Sequence, residues 1–250
     1  MNELGIYIHI PFCIKKCDYC DFVSVKPNDS LIEAYISSLL KEIEIYSKLI
    51  NKFNIDSIFI GGGTPSSIDT EYIGKIFEKL YSSFNIVSNP EITIEVNPGT
   101  VENKKLKAYK QYGINRISLG AQSLNDKILL NIGRIHNELD ILNTIESIKM
   151  EGFKNINSDL MIGLPEQTLD DVMSSLEKII QLNLTHISLY SLIIEKGTKL
   201  YELEKNGKLL LPNEDEERLM YHQAKKILEK SGYIQYEISN FAKPGFECKH

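Results

Sequence analysis

The sequence has no long hydrophobic run. Its apolar stretches are about six residues, where a membrane-spanning helix needs about 20. The opening Met-Asn-Glu-Leu-Gly-Ile-Tyr-Ile-His lacks a basic stretch followed by an apolar one, so no secretory leader is predicted. No basic stripe stands out: 28 Lys and Arg face 34 Asp and Glu, a net charge of −6, which argues against a nucleic-acid partner. There is no low-complexity segment, no long linker and no repeat shorter than a strand–helix unit. Cysteine is scarce, with four in 250 residues, too few for a disulfide scaffold. In the reducing cytoplasm that these absences predict, such thiols serve metals or catalysis.

What remains is an ordinary globular composition, 42% hydrophobic and 25% charged, in a chain long enough to bury a large core. Short β-branched runs alternate with helical stretches. Strands are predicted at 5–10, 55–60, 91–96, 114–119, 155–161 and 186–193. Helices are predicted at 31–50, 70–84, 101–112, 125–131, 137–151 and 169–182. The first helix, capped by Asp29 or Ser30, would bury a stripe of Leu31, Tyr35, Leu39, Ile43, Tyr46 and Ile50. Residues 196–213 read as a loop-rich excursion, 214–231 as a helix, and 233–241 as a strand outside the alternation.

Six strand–helix units in succession require a parallel sheet, closing partly into a barrel or opening into a doubly wound sheet. The organisation expected is a partial (β/α)6 barrel core over 1–195, followed by the start of an α+β region over 196–250. The strand at 233–241 would be left unpaired if the domain stopped there, so the natural chain is expected to continue.

The chemistry-bearing residues gather after the strands. Cys13-Ile-Lys-Lys-Cys17-Asp-Tyr-Cys20 follows strand one and places three thiols within eight residues. Zinc normally takes four ligands, and His9 and Cys248 are the candidates for a fourth, though neither has a paired spacing. A 4Fe–4S cluster on three cysteines leaves one iron open to an external ligand. Gly61-Gly62-Gly63-Thr64-Pro65 follows strand two and serves equally as a turn or as a backbone cradle. Glu95 interrupts Ile92-Thr-Ile94-Glu-Val96, and Asp159 interrupts strand five. Each is either an outward, solvated carboxylate or an inward one that needs partners. Gly120-Ala-Gln122-Ser123 follows strand four, and Arg134 lies in Gly133-Arg-Ile-His136. In parallel β/α folds, the carboxyl ends of the strands are where ligands bind.

Taken together, Tyr7-Ile-His-Ile-Pro-Phe-Cys13, the C-x3-C-x2-C run, Gly61–Pro65, Glu95-Val-Asn-Pro98, Gly120–Ser123, Gly133–His136 and Asp159-Leu-Met-Ile-Gly-Leu-Pro-Glu-Gln-Thr168 resemble one family. It is the coproporphyrinogen oxidase-like branch of the radical S-adenosylmethionine (SAM) proteins, and within it the HemW-type heme chaperones. The resemblance runs from Tyr7 to His250. It implies a 4Fe–4S cluster on Cys13, Cys17 and Cys20. It implies SAM contacts from Tyr7 near the cluster, Tyr19 on the adenine side, and Gly62, Gly63 and Thr64 at the amino-acid part. Glu95, Gln122, Arg134 and Asp159 would make polar contacts, and Ile193, at the end of strand six, would flank an adenine.

Heme is the further ligand implied, with His250 standing where the heme-associated His-Asn…Tyr-Trp motif begins. Heme-accepting respiratory proteins and a homodimer are the implied partners, in the cytoplasm or peripherally at the inner membrane face. Two departures from the true oxidases favour the chaperone group: Phe22 stands where the oxidases have a further cysteine, and only Met1–Leu4 precede strand one. The alternatives are an oxygen-independent coproporphyrinogen III dehydrogenase using a 5′-deoxyadenosyl radical, and another radical SAM enzyme acting on a tetrapyrrole.

Overall fold

A computed structural model describes residues 3–250. Six parallel strands are joined by helices: β1 (Glu3–Ile10), α1 (Asp29–Leu49), β2 (Asn54–Gly62), α2 (Thr70–Ser83), β3 (Asn85–Val96), α3 (Asn103–Gln111), β4 (Arg116–Gln122), α4 (Asp126–Asn131), α5 (Glu138–Met150), β5 (Asn155–Ile162), α6 (Leu169–Gln181) and β6 (His186–Ser191). Then come α7 (Lys199–Lys205), α8 (Glu214–Lys230) and two short strands, β7 (Ile234–Gln235) and β8 (Asn240–Ala242). The sheet order is β1-β2-β3-β4-β5-β6-β8-β7. Strands one to six follow chain order with no reversal, so there is no doubly wound switch point and the barrel alternative holds.

Alternation along the strands decides the two faces. Ile58, Ile60, Ile92, Ile94, Ile117, Leu119, Ile156, Ile187 and Leu189 join the main core with Ile73, Ile76, Phe77 and Leu80 of α2 and Val172, Leu176 and Ile179 of α6. The intervening residues turn the other way and bond across strands. Arg116 Nη1 reaches Thr93 Oγ1 at 3.5 Å, Asn157 Nδ2 donates to Ser118 Oγ at 2.8 Å, and His186 Nδ1 lies 2.6 Å from Asn157 Oδ1. The concave face of this barrel is therefore polar, whereas a lumen meant only for packing would be filled by branched apolar side chains.

Several expectations are corrected. In α1 the buried face is Ile32, Ile36 and Ile43, while Leu31 and Tyr46 are exposed; the cap is Asn28, whose side chain accepts from the Leu31 N–H. The apolar residues of this helix allow two adjacent stripes, and contact with the sheet selects between them. The excursion at 196–213 contains the two-turn helix α7. The single strand at 233–241 is two strands that pair with each other antiparallel. Nor is this segment unpaired: β8 lies antiparallel beside β6, with Ile187 opposite Phe241.

After β8 the chain crosses back towards the first strands. Lys249 Nζ pairs with Asp56 Oδ2 at 3.1 Å, and its backbone N–H donates to Glu91 Oε1 at 2.9 Å. The His250 ring stacks on Phe59 and Tyr7, with centroids 4.5 and 5.5 Å away. Residues 246–250 thus run from the β8 side to the β1–β2 side. Among the described residues no helix is long and apolar enough to cross a membrane.

Candidate cofactor site

The cysteine loop is held at both ends. At its base the Cys13 N–H donates to Val25 O (3.0 Å) and the Val25 N–H to Pro11 O (2.8 Å). At its crown the Asp18 N–H donates to Ile132 O, and the Asp18 carbonyl accepts the Leu200 N–H of α7; Lys199 Nζ pairs with Asp18 Oδ2 at 2.7 Å. The glycine run is zipped to the segment leading into Cys13: the Gly63 N–H donates to Ile10 O (2.9 Å) and the Thr64 N–H to Phe12 O (2.7 Å). The triple glycine is thus both a turn and a structural support for the first cysteine.

These loops enclose a cavity of about 430 Å³. Cys13, Cys17, Cys20, Tyr19, Gly62, Gly63, Thr64, Glu95, Gln122, Arg134, Asp159 and Ile193 all line it, so almost every residue singled out in the sequence comes to one place. Two do not. Tyr7 is on the same polar face of the sheet but outside the lining, its hydroxyl 3.2 Å from His9 Nδ1 and its ring against Phe59, and His250 lies with it. Their positions on β1 and in the returning segment put them beside the cavity. Ile193 lies beyond the end of β6 rather than within it, and is exposed.

All four cysteines are free. Cys13 Sγ is 3.4 Å from Thr64 Oγ1, and Arg134 Nη1 donates to Cys17 Sγ at 3.3 Å. Burial pushes the Cys20 thiol up. The proposed fourth zinc ligands are elsewhere: His9 Nε2 meets Val23 O at 3.0 Å, and Cys248 Sγ meets Glu91 Oε1 at 3.4 Å. Among the described residues, no three Cys, His, Asp or Glu side chains converge as ligands of one metal ion. Three thiols spread around one cavity suit an iron–sulfur cluster, ligated one cysteine per iron, better than a single zinc.

Arg134 is buried and organises the rim. Besides Cys17 it donates through Nη2 to Asn97 Oδ1 (2.9 Å) and to Gly120 O, while its Nε has no protein partner. Asn97 in turn donates to Thr64 Oγ1 at 3.0 Å. Sequence reasoning missed Asn97, although it stands within the Glu95–Pro98 motif. It also missed Tyr190, whose hydroxyl donates to Gln122 Oε1 at 2.9 Å and whose place on the polar side of β6 was the available signal. Gln122 itself adopts φ 69°, a left-handed conformation unusual for a non-glycine residue, which it shares with Glu166 and Asn183.

Both inward carboxylates face the cavity. Glu95 Oε2 accepts the Gly62 N–H at 3.1 Å. Burial first, then neighbouring Asp159, pushes Glu95 up to about 8; burial also pushes Asp159 up. In the cofactor-free protein this makes stability pH-dependent with a definite sign. A carboxyl raised from 4.5 to about 8 binds its proton in the folded state but not in the unfolded one across that window, so its contribution falls as pH rises through it. His136 and His186, held down to about 4 and about 3 mainly by burial, act oppositely, but only below 6.5. Between pH 6.5 and 8 the unfolding free energy should therefore drop by up to about 2 kcal/mol, and Glu95→Gln should flatten the slope. Urea titrations across that range measure it; an unchanged slope in the variant would remove Glu95 as its source.

A half-open β/α barrel with a three-cysteine loop over a polar cavity at the carboxyl rim defines a cofactor-binding protein of the radical SAM type. Residues 7–179 match the radical SAM superfamily, and the chain belongs to it. It is 45% identical over 252 residues to "Heme chaperone HemW" of Buchnera aphidicola subsp. Schizaphis graminum, covering 100% of this chain and 65% of that protein. It is 41% identical over 244 residues to "Heme chaperone HemW" of Lactococcus lactis, covering 98% of this chain and 63% of the relative. The chain thus spans just under two thirds of the length of these relatives. In three dimensions it is similar to coproporphyrinogen III oxidase (HemN) from Escherichia coli, with TM-score 0.87 and 26% identity, covering 98% of this chain and 56% of the oxidase. The HemW-type resemblance carried by the motifs is the one its sequence relatives bear.

Proposed function

We propose that this chain is the cofactor-binding core of a heme chaperone. In this reading it holds a 4Fe–4S cluster on Cys13, Cys17 and Cys20, binds SAM in the adjoining cavity, and delivers heme to respiratory hemoproteins in the cytoplasm or at the inner membrane face. The observation that carries it is the single cavity joining the three thiols to Gly62, Gly63, Thr64, Glu95, Gln122, Arg134 and Asp159, in a chain similar to proteins named heme chaperones.

When bound, the cluster would supply an electron for the SAM sulfonium; the chain's own residues bind and orient. Gly62 and Gly63 offer backbone close to the cavity, Thr64 and Asn97 brace the cysteine side, and Arg134 steadies Cys17. Glu95 and Asp159 supply acceptors for hydroxyl or ammonium groups and tolerate a neighbouring sulfonium. Tyr19, Met161 and Tyr190 furnish an apolar wall suited to an adenine. Tyr7 acts from beside the cavity rather than within it, and His250, stacked on Tyr7 and Phe59, is the heme-ligand candidate.

The second reading, a coproporphyrinogen III dehydrogenase, draws on the three-dimensional likeness to that oxidase. Phe22 counts against it. It lines the cavity mouth, 60% exposed, where the oxidases carry a cysteine. Oxidative decarboxylation requires a substrate carbon placed to within about an ångström, where misplacement costs on the order of a hundredfold in rate. The full-length protein, reconstituted anaerobically, should bind heme in a titration and fail to convert coproporphyrinogen III with reduced cluster and excess SAM, beside a true oxidase as positive control. Multiple-turnover decarboxylation would establish the dehydrogenase instead.

A further inference from the structure

A line of hydrogen bonds, buried at its centre and exposed at Tyr236, leaves the cavity through the polar side of the sheet. Asn157 Nδ2 donates to Asp159 Oδ1 at 2.6 Å and to Ser118 Oγ at 2.8 Å. That assigns the amide orientation, because a flip would set its oxygen against the carboxylate. Asn157 Oδ1 is then an acceptor, reached by Ser188 Oγ at 3.2 Å and by His186 Nδ1 at 2.6 Å. His186 must carry its proton on Nδ1. Burial, then the charge of Arg116, keeps the imidazole neutral, so its Nε2 accepts. Tyr236, 2.7 Å away, donates to it and takes the Cys248 N–H at 3.2 Å. Every donor in the line points towards Asp159.

Packing does not explain the two middle members of this line. His186 is 1% exposed and Asn157 2%, and two isosteric apolar residues would fill those places without needing partners. The chain instead builds a polarised path across β6, β5 and the returning segment, and ends it on a cavity carboxylate. Aligned donors favour the ionised, oriented form of that acceptor, against the burial that disfavours it. The other charged or titratable groups around Asp159 are Glu95 from β3, Arg116 from β4, Arg134 from the rim, Tyr19 from the cysteine loop and Tyr190 from β6.

We propose that Asn157, His186 and Tyr236 are positioning residues that hold Asp159 as an oriented carboxylate acceptor for SAM. They touch neither cofactor nor substrate and act through Asp159 alone. The inference rests on the SAM-binding reading of the cavity, and it makes the Nδ1–H tautomer of His186 a functional feature rather than an accident of packing.

Two measurements on the reconstituted protein test it. The first is SAM affinity by equilibrium dialysis. His186→Leu should weaken binding about tenfold, and His186→Asn, whose amide N–H can replace Nδ1–H, should restore it to within about threefold. In an Asp159→Asn background, His186→Leu should add less than about twofold, because the path has lost its end point. An additive loss in that background, or no restoration by asparagine, overturns the proposal. The second is 15N NMR of histidine-labelled wild-type protein, with the His186 signal assigned from His186→Asn. It should show Nδ1 protonated and Nε2 bare; the reverse tautomer overturns the proposal, and this holds even if the leucine variant folds poorly. Should wild type fail to bind SAM, the functional reading falls, while the tautomer still decides whether the line exists.

Discussion

Replacing Cys17 by alanine will abolish cluster retention: after anaerobic reconstitution, iron should fall from about four per chain to near zero. The expectation is this large because nothing nearby can substitute. Cys17 is the middle thiol of a loop pinned at Val25, Ile132 and α7, so the loop cannot slide to offer another residue. The fourth cysteine, Cys248, is engaged by Glu91 and does not line the cavity. His9 is held by Tyr7 and Val23. Cys248→Ala is the matched control and should keep its iron. Retention of about four irons by Cys17→Ala would mean that the ligand set is wrong.

Gly63→Ala should lower stability by about 2 kcal/mol and reduce iron retention with it. Gly63 does not have a left-handed backbone, so the requirement is for space. A Cβ there would lie 2.7 Å from Phe12 O, 2.9 Å from Phe12 N and 3.0 Å from Ile10 O. These are backbone atoms, two of them already accepting hydrogen bonds from the glycine loop, and they cannot turn aside as a side chain would. Relief must come from moving the segment that carries Cys13. The contrast is Gly207→Ala, where nothing stands within 4 Å and only the φ of 63° is unfavourable. That change should cost about 1 kcal/mol and leave iron binding untouched. Urea unfolding and iron analysis of both variants separate the two effects; equal behaviour would show that the crowding at Gly63 is relieved cheaply.

The dehydrogenase question turns on residues at the cavity mouth, and the same geometry shows how far a sequence can be read. Cys13–Cys20, Gly62–Thr64, Glu95, Gln122 and Asp159 were each found at a strand's carboxyl end or in the turn after it. Arg134 was found by its motif, and the structure brings it to Cys17 from the turn after α4. What the sequence could not supply was contact between elements. For Tyr7, expected from the resemblance to contact SAM near the cluster, the sequence did not show that its ring stacks on Phe59 and His250 beside the cavity. The phase of α1, the helix α7 and the pairing of β8 with β6 were misread or missed for the same reason.

By itself, then, the sequence determined the order of six β/α units and the rim on which the chemistry would gather. Right-handed parallel crossovers bring every strand's carboxyl end to the same side, whatever the details of packing. The partial barrel was expected as well; only the tertiary structure decided that its concave face is polar, with Arg116, Asn157 and His186 bonding across strands. It also decided that residues 246–250 return to β1 and β2, and that Asp159 is tied through Asn157 and His186 to Tyr236. Those facts depend on strand register and on contacts between residues tens to hundreds of positions apart. Periodicity along one element reports which face is buried, but not what it is buried against.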